Sequence, residues 1–375
     1  MKPLASFTYI KSNKKKVLPS FVCTIASVFL IYIFGLLLYG SFDDFNKLSI
    51  NLLDKCTFIY SNSIDKPLSD NINDNINDDE NIKDVVPMLG MNNSFNYSAV
   101  FGNSGSSSFI MYSEDVERGL KNLDIELVQG NIPENNKSEI ILPEEMAKQY
   151  KLKIGDYIDN DTSKSIKVNK TYKLVGITRG DSWLPIVCDV GDITREDALK
   201  YGMILFFKNN NNKDINKKLS NLNDKNIVIQ EYETTKDMMG QAIASMNFLY
   251  VSLDIVIIFV LSVSLSNLNY IVFLNRRNEF AVLKTIGTSK YKLKGKLFKE
   301  NLLVCFAGFI FGIVLTMGIT EILNIVVWEP NGQHIAIFRI SSILVALIVP
   351  ISVSLLSMAS SLREFNKLDI DSLNS

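Results

Sequence analysis

The chain has 375 residues, with 39 Lys and Arg against 40 Asp and Glu, a formal net charge of −1, one histidine and four cysteines. One histidine, His334, and no Cys/His cluster argue against a zinc site. The placement of the basic residues, outside an acidic middle, argues against a nucleic-acid binder, whose basic surface would be folded into a globular unit. The charge is lopsided along the chain. Residues 41–244 carry 23 basic and 32 acidic side chains, a net of −9, and the remainder carries 16 and 8, a net of +8. An acidic middle between basic, apolar pieces describes a membrane protein with one large exported domain.

Residues 1–16 form a basic start closed by Lys14, Lys15 and Lys16, read as a cytoplasmic amphipathic segment. Residues 17–40 supply 24 positions without charge. At about 1.5 Å per residue these reach about 36 Å, enough for a hydrocarbon core of about 30 Å. No small-x-small cleavage site follows, so a retained first span is expected rather than a signal peptide.

Residues 41–244 read as an extracytoplasmic α+β domain. The Asn/Asp-rich tract from Ser69 to Asp84 reads as a solvated loop or helix entry. A calcium site from Asp70, Asp74, Asp78 and Asp79 is a weak alternative there, because the EF-hand glycine and terminal glutamate are missing. Phe101 to Phe109, FGNSGSSSF, reads as a turn or loop. From Asp124 onward short β-type runs alternate with turn signals: IELVQG, EIILP, KIGDYI, TYKLVGI, MILFFK and NIVIQEY, with a helical EEMAKQYKL among them. At least five strands and two or three helices are expected. Cys56 and Cys188 fall in this region and could pair, although no framework spacing supports a bridge.

Residues 245–274 are the second span, 301–328 the third and 340–362 the fourth, the last bent at Pro350. Residues 329–339 form an outer loop and 363–375 a cytoplasmic tail, which places both termini inside. Asp254, Ser262, Ser264, Ser266, Asn267 and Asn269 make the second span polar, and such groups are expected to face other helices. Gly308 and Gly312 stand in a G-x-x-x-G spacing that lets helix backbones approach closely.

The loop at residues 275–300 carries eight basic residues against Glu279 and Glu300. A short basic loop between spans stays cytoplasmic. Phe280, Leu283 and Ile286 fall three apart, with Val282 four before Ile286, so an apolar stripe is expected on a short helix. Gly287 stands where a left-handed C′ residue would end that helix, and Thr288 or Ser289 can cap the next. Either a partner's groove or lipid headgroups could take such a stripe.

No phosphate-binding loop of the G-x-x-x-x-G-K-[ST] type occurs, and neither a nucleophile elbow nor an acid/base pair stands out. The chain reads as non-enzymatic, with no cofactor of its own.

Three patterns, with the four spans, resemble the FtsX-like permease superfamily, in particular the MacB-type (type VII) ABC transporter permeases. They are RRNEFAVLKTIGTSKYKL at Arg276 to Leu293, GNIPENNKSEIILPEEMAKQYKLKIGDYI with TYKLVGI between Gly130 and Ile177, and the opening YIKSNKKKVLPSF. The resemblance implies an α-helical membrane protein with four transmembrane helices and a MacB-like core domain between the first two, in a bacterial plasma membrane. It implies a coupling helix formed by Arg276, Arg277, Glu279, Phe280, Val282, Leu283, Lys284, Ile286 and Gly287, docking on a separate cytoplasmic ATPase that holds the ATP and magnesium. It also implies pairing with a second permease copy or a similar permease. The expected function is mechanotransmission: ATPase strokes move the exported domain to export or extract a peptide, antibiotic or lipid-anchored substrate. An FtsX-like regulator of an extracellular cell-wall hydrolase is the alternative. Asn278 departs from the charged residue often found there in relatives. Asp43 to Asp124 shows no likeness.

Overall fold

In the computed structural model, residues 13–62, 67–68, 80–208, 216–217 and 227–371 are described. The N-terminal amphipathic segment lies almost wholly outside them, as do the four aspartates of the calcium alternative. The described chain divides into two compact units: a sheet unit, Leu38–Ala244 with Asn324–His334, and a helical unit made of the remainder.

The sheet unit opens at the end of α1 (Lys14–Phe45) with a π-helical turn, Asn46–Ile50, and the short α2 (Asn51–Lys55). Eleven strands are described: β1 (Cys56–Ser61), β2 (Ile82–Ser98), β3 (Asn103–Met111), β4 (Ile125–Gly130), β5 (Glu139–Pro143), β6 (Tyr157–Ile158), β7 (Ile166–Lys167), β8 (Tyr172–Gly180), β9 (Ile186–Val187), β10 (Gly202–Phe207) and β11 (Ile227–Gln230). Between them lie α3 (Ser113–Asn122), α4 (Glu144–Gln149) and α5 (Arg195–Ala198). The strand order is β11-β1-β10-β2-β3-β9-β5-β8-β4, with β6 beside β8 and β7 beside β2. The sheet is mixed: β3–β9 and β5–β8 run parallel and the other pairs antiparallel. Every residue of β10 is buried, as its unbroken GMILFF run requires of a central strand.

Two stretches expected as loops are strands. Residues 101–109 enter β3, and the end of the Asn/Asp-rich tract enters β2 at Ile82. Pairing overrides propensity here. Phe95 and Tyr97 on β2 are fully buried, and their partners across the ladder are Ser106 and Ser104. The serines follow the aromatic strand into the sheet because β propensity is a statement about neighbours. The core of the unit gathers Phe58, Val86, Met88, Phe109, Ile204 and Phe206, with the Phe58 and Phe109 rings 4.7 Å apart. Cys56 and Cys188 lie in that core as free thiols, so the pairing left open by the sequence is not made. Asp115, also buried, is held by Arg195 at 2.7 and 2.8 Å and by Arg118 at 2.8 Å.

The loop Asn324–His334 belongs to this unit. It ends its 3-10 turn at Gly332, whose φ is +71° and whose missing side chain leaves room for the Glu145 carbonyl. The Tyr97 hydroxyl donates to the Gly332 carbonyl at 2.8 Å, and Gln333 Nε2 donates to the Ser98 carbonyl at 2.6 Å.

The helical unit contains most of α1, then α6 (Tyr232–Leu274), α7 (Arg277–Thr285), α8 (Lys290–Leu323) and α9 (Ile340–Asp371). Among the described residues, three helical stretches are long and apolar enough to cross a membrane: Val17–Lys55, Tyr232–Val272 and Tyr291–Asn331. The apolar run described in α9, Ile340–Leu356, is shorter. Pro350 lies inside α9, where Ser354 Oγ donates to its carbonyl at 2.6 Å. In α6, Ser262 meets Ser352 of α9 at 2.8 Å, whereas Ser264 turns back to its own helix at the Val260 carbonyl.

Candidate functional site

The 275–300 loop folds as a helical elbow: α7, a turn, then the start of α8. α7 ends as its glycine predicts. Gly287 has φ +89° with nothing within 4 Å of where a Cβ would stand, so the residue is required by backbone conformation and not by crowding. The Thr288 amide donates to the Leu283 carbonyl at 3.1 Å, the six-to-one bond of a Schellman ending. The amides of Lys292 and Leu293 then bond to the Ser289 carbonyl at 3.0 and 3.2 Å and begin α8.

The expected apolar stripe divides between two faces. Phe280 is 1% exposed and packs with Leu293, and Leu283 and Leu297 join that small core. Ile286 is 75% exposed, because it lies beyond Thr285, where α7 ends and the chain turns away from the stripe. Val282 and Tyr291 are also exposed, at 57% and 86%. The elbow therefore fastens itself with Phe280 and Leu283, and presents Val282, Ile286 and Tyr291 outward. The backbones of Arg277 and Lys284 lie in α7; their side chains fall outside the described residues.

A charged clamp holds the two arms together. Arg276, 4% exposed, donates from Nε and Nη2 to the two Glu279 oxygens at 3.0 and 3.1 Å, and from Nη1 to Glu300 at 2.7 Å. Its guanidinium lies 4.7 Å from the Phe280 ring centroid, a cation–π distance. Lys296 stands 3.8 Å from Glu279 and 3.9 Å from Glu300. Guanidinium forks suit this double carboxylate role, and an ammonium would not reproduce it. Sequence reading placed Arg276 and Glu279 in the coupling element but assigned no role to Glu300 and Lys296. The available signal was spacing: Lys296 and Glu300 stand at i,i+4 on α8, and Arg276 and Glu279 at i,i+3.

Gly308 and Gly312 lie away from the elbow, along α8. A Cβ on Gly308 would stand 2.9 Å from Thr24 Cβ, and one on Gly312 would stand 2.8 Å from Val28 Cβ. The spacing lets α8 and α1 approach at backbone distance, the Phe21 and Ile25 carbonyls being 3.3 and 3.1 Å from those same points. No group of His, Cys, Asp and Glu able to hold a metal ion is found among the described residues.

The family model of the FtsX-like permease C-terminal domain matches residues 251–370, which takes in the elbow and the helices on either side of it. No curated protein matches the chain. Among solved structures, the chain is similar to the periplasmic region of MacB from Actinobacillus actinomycetemcomitans, at 12% identity over 51% of this chain and 94% of that one, with a TM-score of 0.29. It is also similar to the extracellular domain of the noncanonic ABC-type transporter YknZ from Gram-positive bacteria, at 11% identity over 47% and 98%, with a TM-score of 0.27. The match to the FtsX-like permease C-terminal model thus covers the C-terminal part of this chain, elbow included.

Proposed function

We propose that the chain is the permease subunit of an ABC transporter, coupling a separate cytoplasmic ATPase to its sheet unit by mechanotransmission across four spans. The observation that carries the reading is the elbow's division of labour. A helix that closes its own core with Phe280 and Leu283, and clamps its arms through Arg276, still exposes Val282, Ile286 and Tyr291. An apolar face on a stiff cytoplasmic loop suits the groove of a soluble partner. With no phosphate-binding loop in the chain, the nucleotide chemistry belongs to that partner. The basic residues of the loop favour the cytoplasmic side, which sends the acidic sheet unit outside. The exposed flank of α6, with Phe248, Leu249 and Phe259 above 60%, suits lipid or a second permease copy. Export or extraction of peptide, antibiotic or lipid-anchored cargo fits a machine whose moving part is the exported unit.

The test is co-purification with a co-expressed candidate ABC ATPase from the same genome, comparing wild type, Ile286→Asp and Leu283→Asp. Ile286→Asp should keep the fold and lose both the ATPase and stimulated hydrolysis. Leu283→Asp is expected to loosen the elbow itself, since its side chain packs inward. An Ile286→Asp protein that binds and stimulates the ATPase as wild type does removes the docking assignment. ATPase binding combined with activation of a secreted hydrolase, and no cargo movement, would establish the regulator instead.

A further inference from the structure

The sheet unit contains a cavity of about 590 Å³, within the range of ligand sites, that no step of the coupling reading uses. We propose that this cavity binds an extended peptide segment, which pairs its backbone with the open edge of β2 at Leu89–Asn92. As a statement about cargo this rests on the permease reading; as a binding site it does not.

The argument begins with β2. Its ladder with β10 ends at Pro87, opposite Met203, and its ladder with β7 covers only Ser94 and Phe95. Between these, β3 is the single strand partner of β2 among the described residues. The β2–β3 register shifts between Met88 and Gly90 and again between Asn92 and Phe95. Two bulges so close together bend a strand away from its neighbours. Gly90, at φ +121°, has nothing within 4 Å of where a Cβ would stand, and it lines the cavity. A stretch of strand edge therefore faces a space instead of a neighbour, an arrangement proteins otherwise cover or blunt.

The walls are built and held. Across from β2, the Lys170 ammonium meets Asp189 at 2.8 Å, and the Tyr172 hydroxyl donates to the same carboxylate at 2.6 Å. Asn136 and Gly191 exchange two hydrogen bonds, at 2.8 and 2.9 Å. On the β2 side, Ser108 Oγ donates to Asn92 Oδ1 at 2.6 Å, and Asn93 joins both. Leu89, Met91 and Ile110 supply apolar surface between these polar groups.

The chemistry of the lining selects the ligand class. Lys170 and Asp189 cancel, so the cavity holds no excess positive charge for a phosphate or an anionic headgroup. Among the described residues its aromatic lining is Tyr60, which by itself makes no sandwich for a nucleobase or sugar ring. Side-chain amides beside a free edge suit a peptide backbone, and apolar patches beside them suit alternate side chains.

The probe is a fluorescein-labelled hexapeptide, Lys-Thr-Val-Thr-Val-Glu, titrated by anisotropy against the full chain in phosphatidylcholine/phosphatidylglycerol nanodiscs without ATPase. Saturable binding is expected, accompanied by slowed hydrogen exchange at Leu89–Asn92. N-methylation of alternate peptide amides should weaken it about tenfold or more, since the bonds at stake are backbone ones. Asn62→Trp, at an exposed position on the cavity wall, should weaken it to a similar degree with an unchanged melting profile. Absence of saturable binding overturns the proposal. So does binding that ignores N-methylation, or binding that responds to N-methylation but neither to Asn62→Trp nor at the β2 amides, which would move the peptide to another strand edge. Peptide binding by a chain that fails to recruit any ATPase would keep this site and discard the permease reading.

Discussion

Removing Arg276 should unfasten the elbow before it affects anything else. Arg276→Ala leaves the Glu300 carboxylate, whose side chain is 6% exposed, with Lys296 at 3.9 Å as its nearest cation. Breaking a buried ion pair from one side costs about 3–5 kcal/mol. The Glu279 end, 43% exposed, adds at most about 1 kcal/mol. Lost stacking on Phe280 is a smaller addition of about 0.5–1 kcal/mol. The cost should appear in local opening, since the clamp joins only α7 to α8. Hydrogen exchange of the amides from Phe280 to Thr288 is the suitable assay, with acceleration of about three to five powers of ten expected. Arg276→Lys should recover little, because one ammonium cannot serve both carboxylates in the same geometry. Arg276→Met combined with Glu300→Gln should recover much of the loss, because no charge is then stranded. Were Arg276→Ala and the double variant to exchange at the wild-type rate, the clamp would be incidental and the elbow's rigidity would need another source.

Two further outcomes follow from the packing. Gly312→Ala should destabilise the helical unit by about 1–3 kcal/mol through overpacking against Val28, whereas Gly318→Ala, with nothing within 4 Å of the new Cβ, should be neutral or stabilising; equilibrium unfolding in mixed micelles compares them. Burial holds the Glu145 carboxyl above its ordinary range, and one of its oxygens is buried without a hydrogen-bond partner. A folded pKa above the unfolded one means the folded state binds the proton more tightly, so this contribution to stability is present at low pH and is lost as pH rises above about 4.3 through the folded value. Unfolding of the sheet unit followed by Trp183 fluorescence between pH 4 and 8 should show a decline that Glu145→Gln flattens; equal slopes for both proteins would exclude Glu145 as its source.

Much of the organisation was legible without coordinates because the bilayer imposes coarse rules. A 24-residue run without charge, an acidic middle and one basic loop determine which segments are apolar, which is the large domain and where the basic elbow between two apolar helices lies. The Gly287 turn was legible as well, because a left-handed residue after a short amphipathic helix is a local requirement. So were β4, β5, β8 and β10: the apolar runs of β5 and β10 are buried, β8 alternates buried residues with exposed or half-buried ones, and β4 buries Ile125.

What the sequence could not decide depends on partners distant along the chain. Asn103–Met111 is a strand because it pairs along β2, where Ser106 and Ser104 stand opposite the buried Phe95 and Tyr97, and nothing in NSGSSSFIM announces that by itself. The stripe Phe280, Leu283, Ile286 looks continuous in one dimension. Only the return of α8, with Leu293 and Leu297, turns the first two inward and leaves the third outside. Arg276 and Glu300 are 24 positions apart and meet only after the Gly287 turn has folded the arms together. Local chemistry thus determined that there is an elbow; tertiary contact decided which of its faces is closed and which is left exposed.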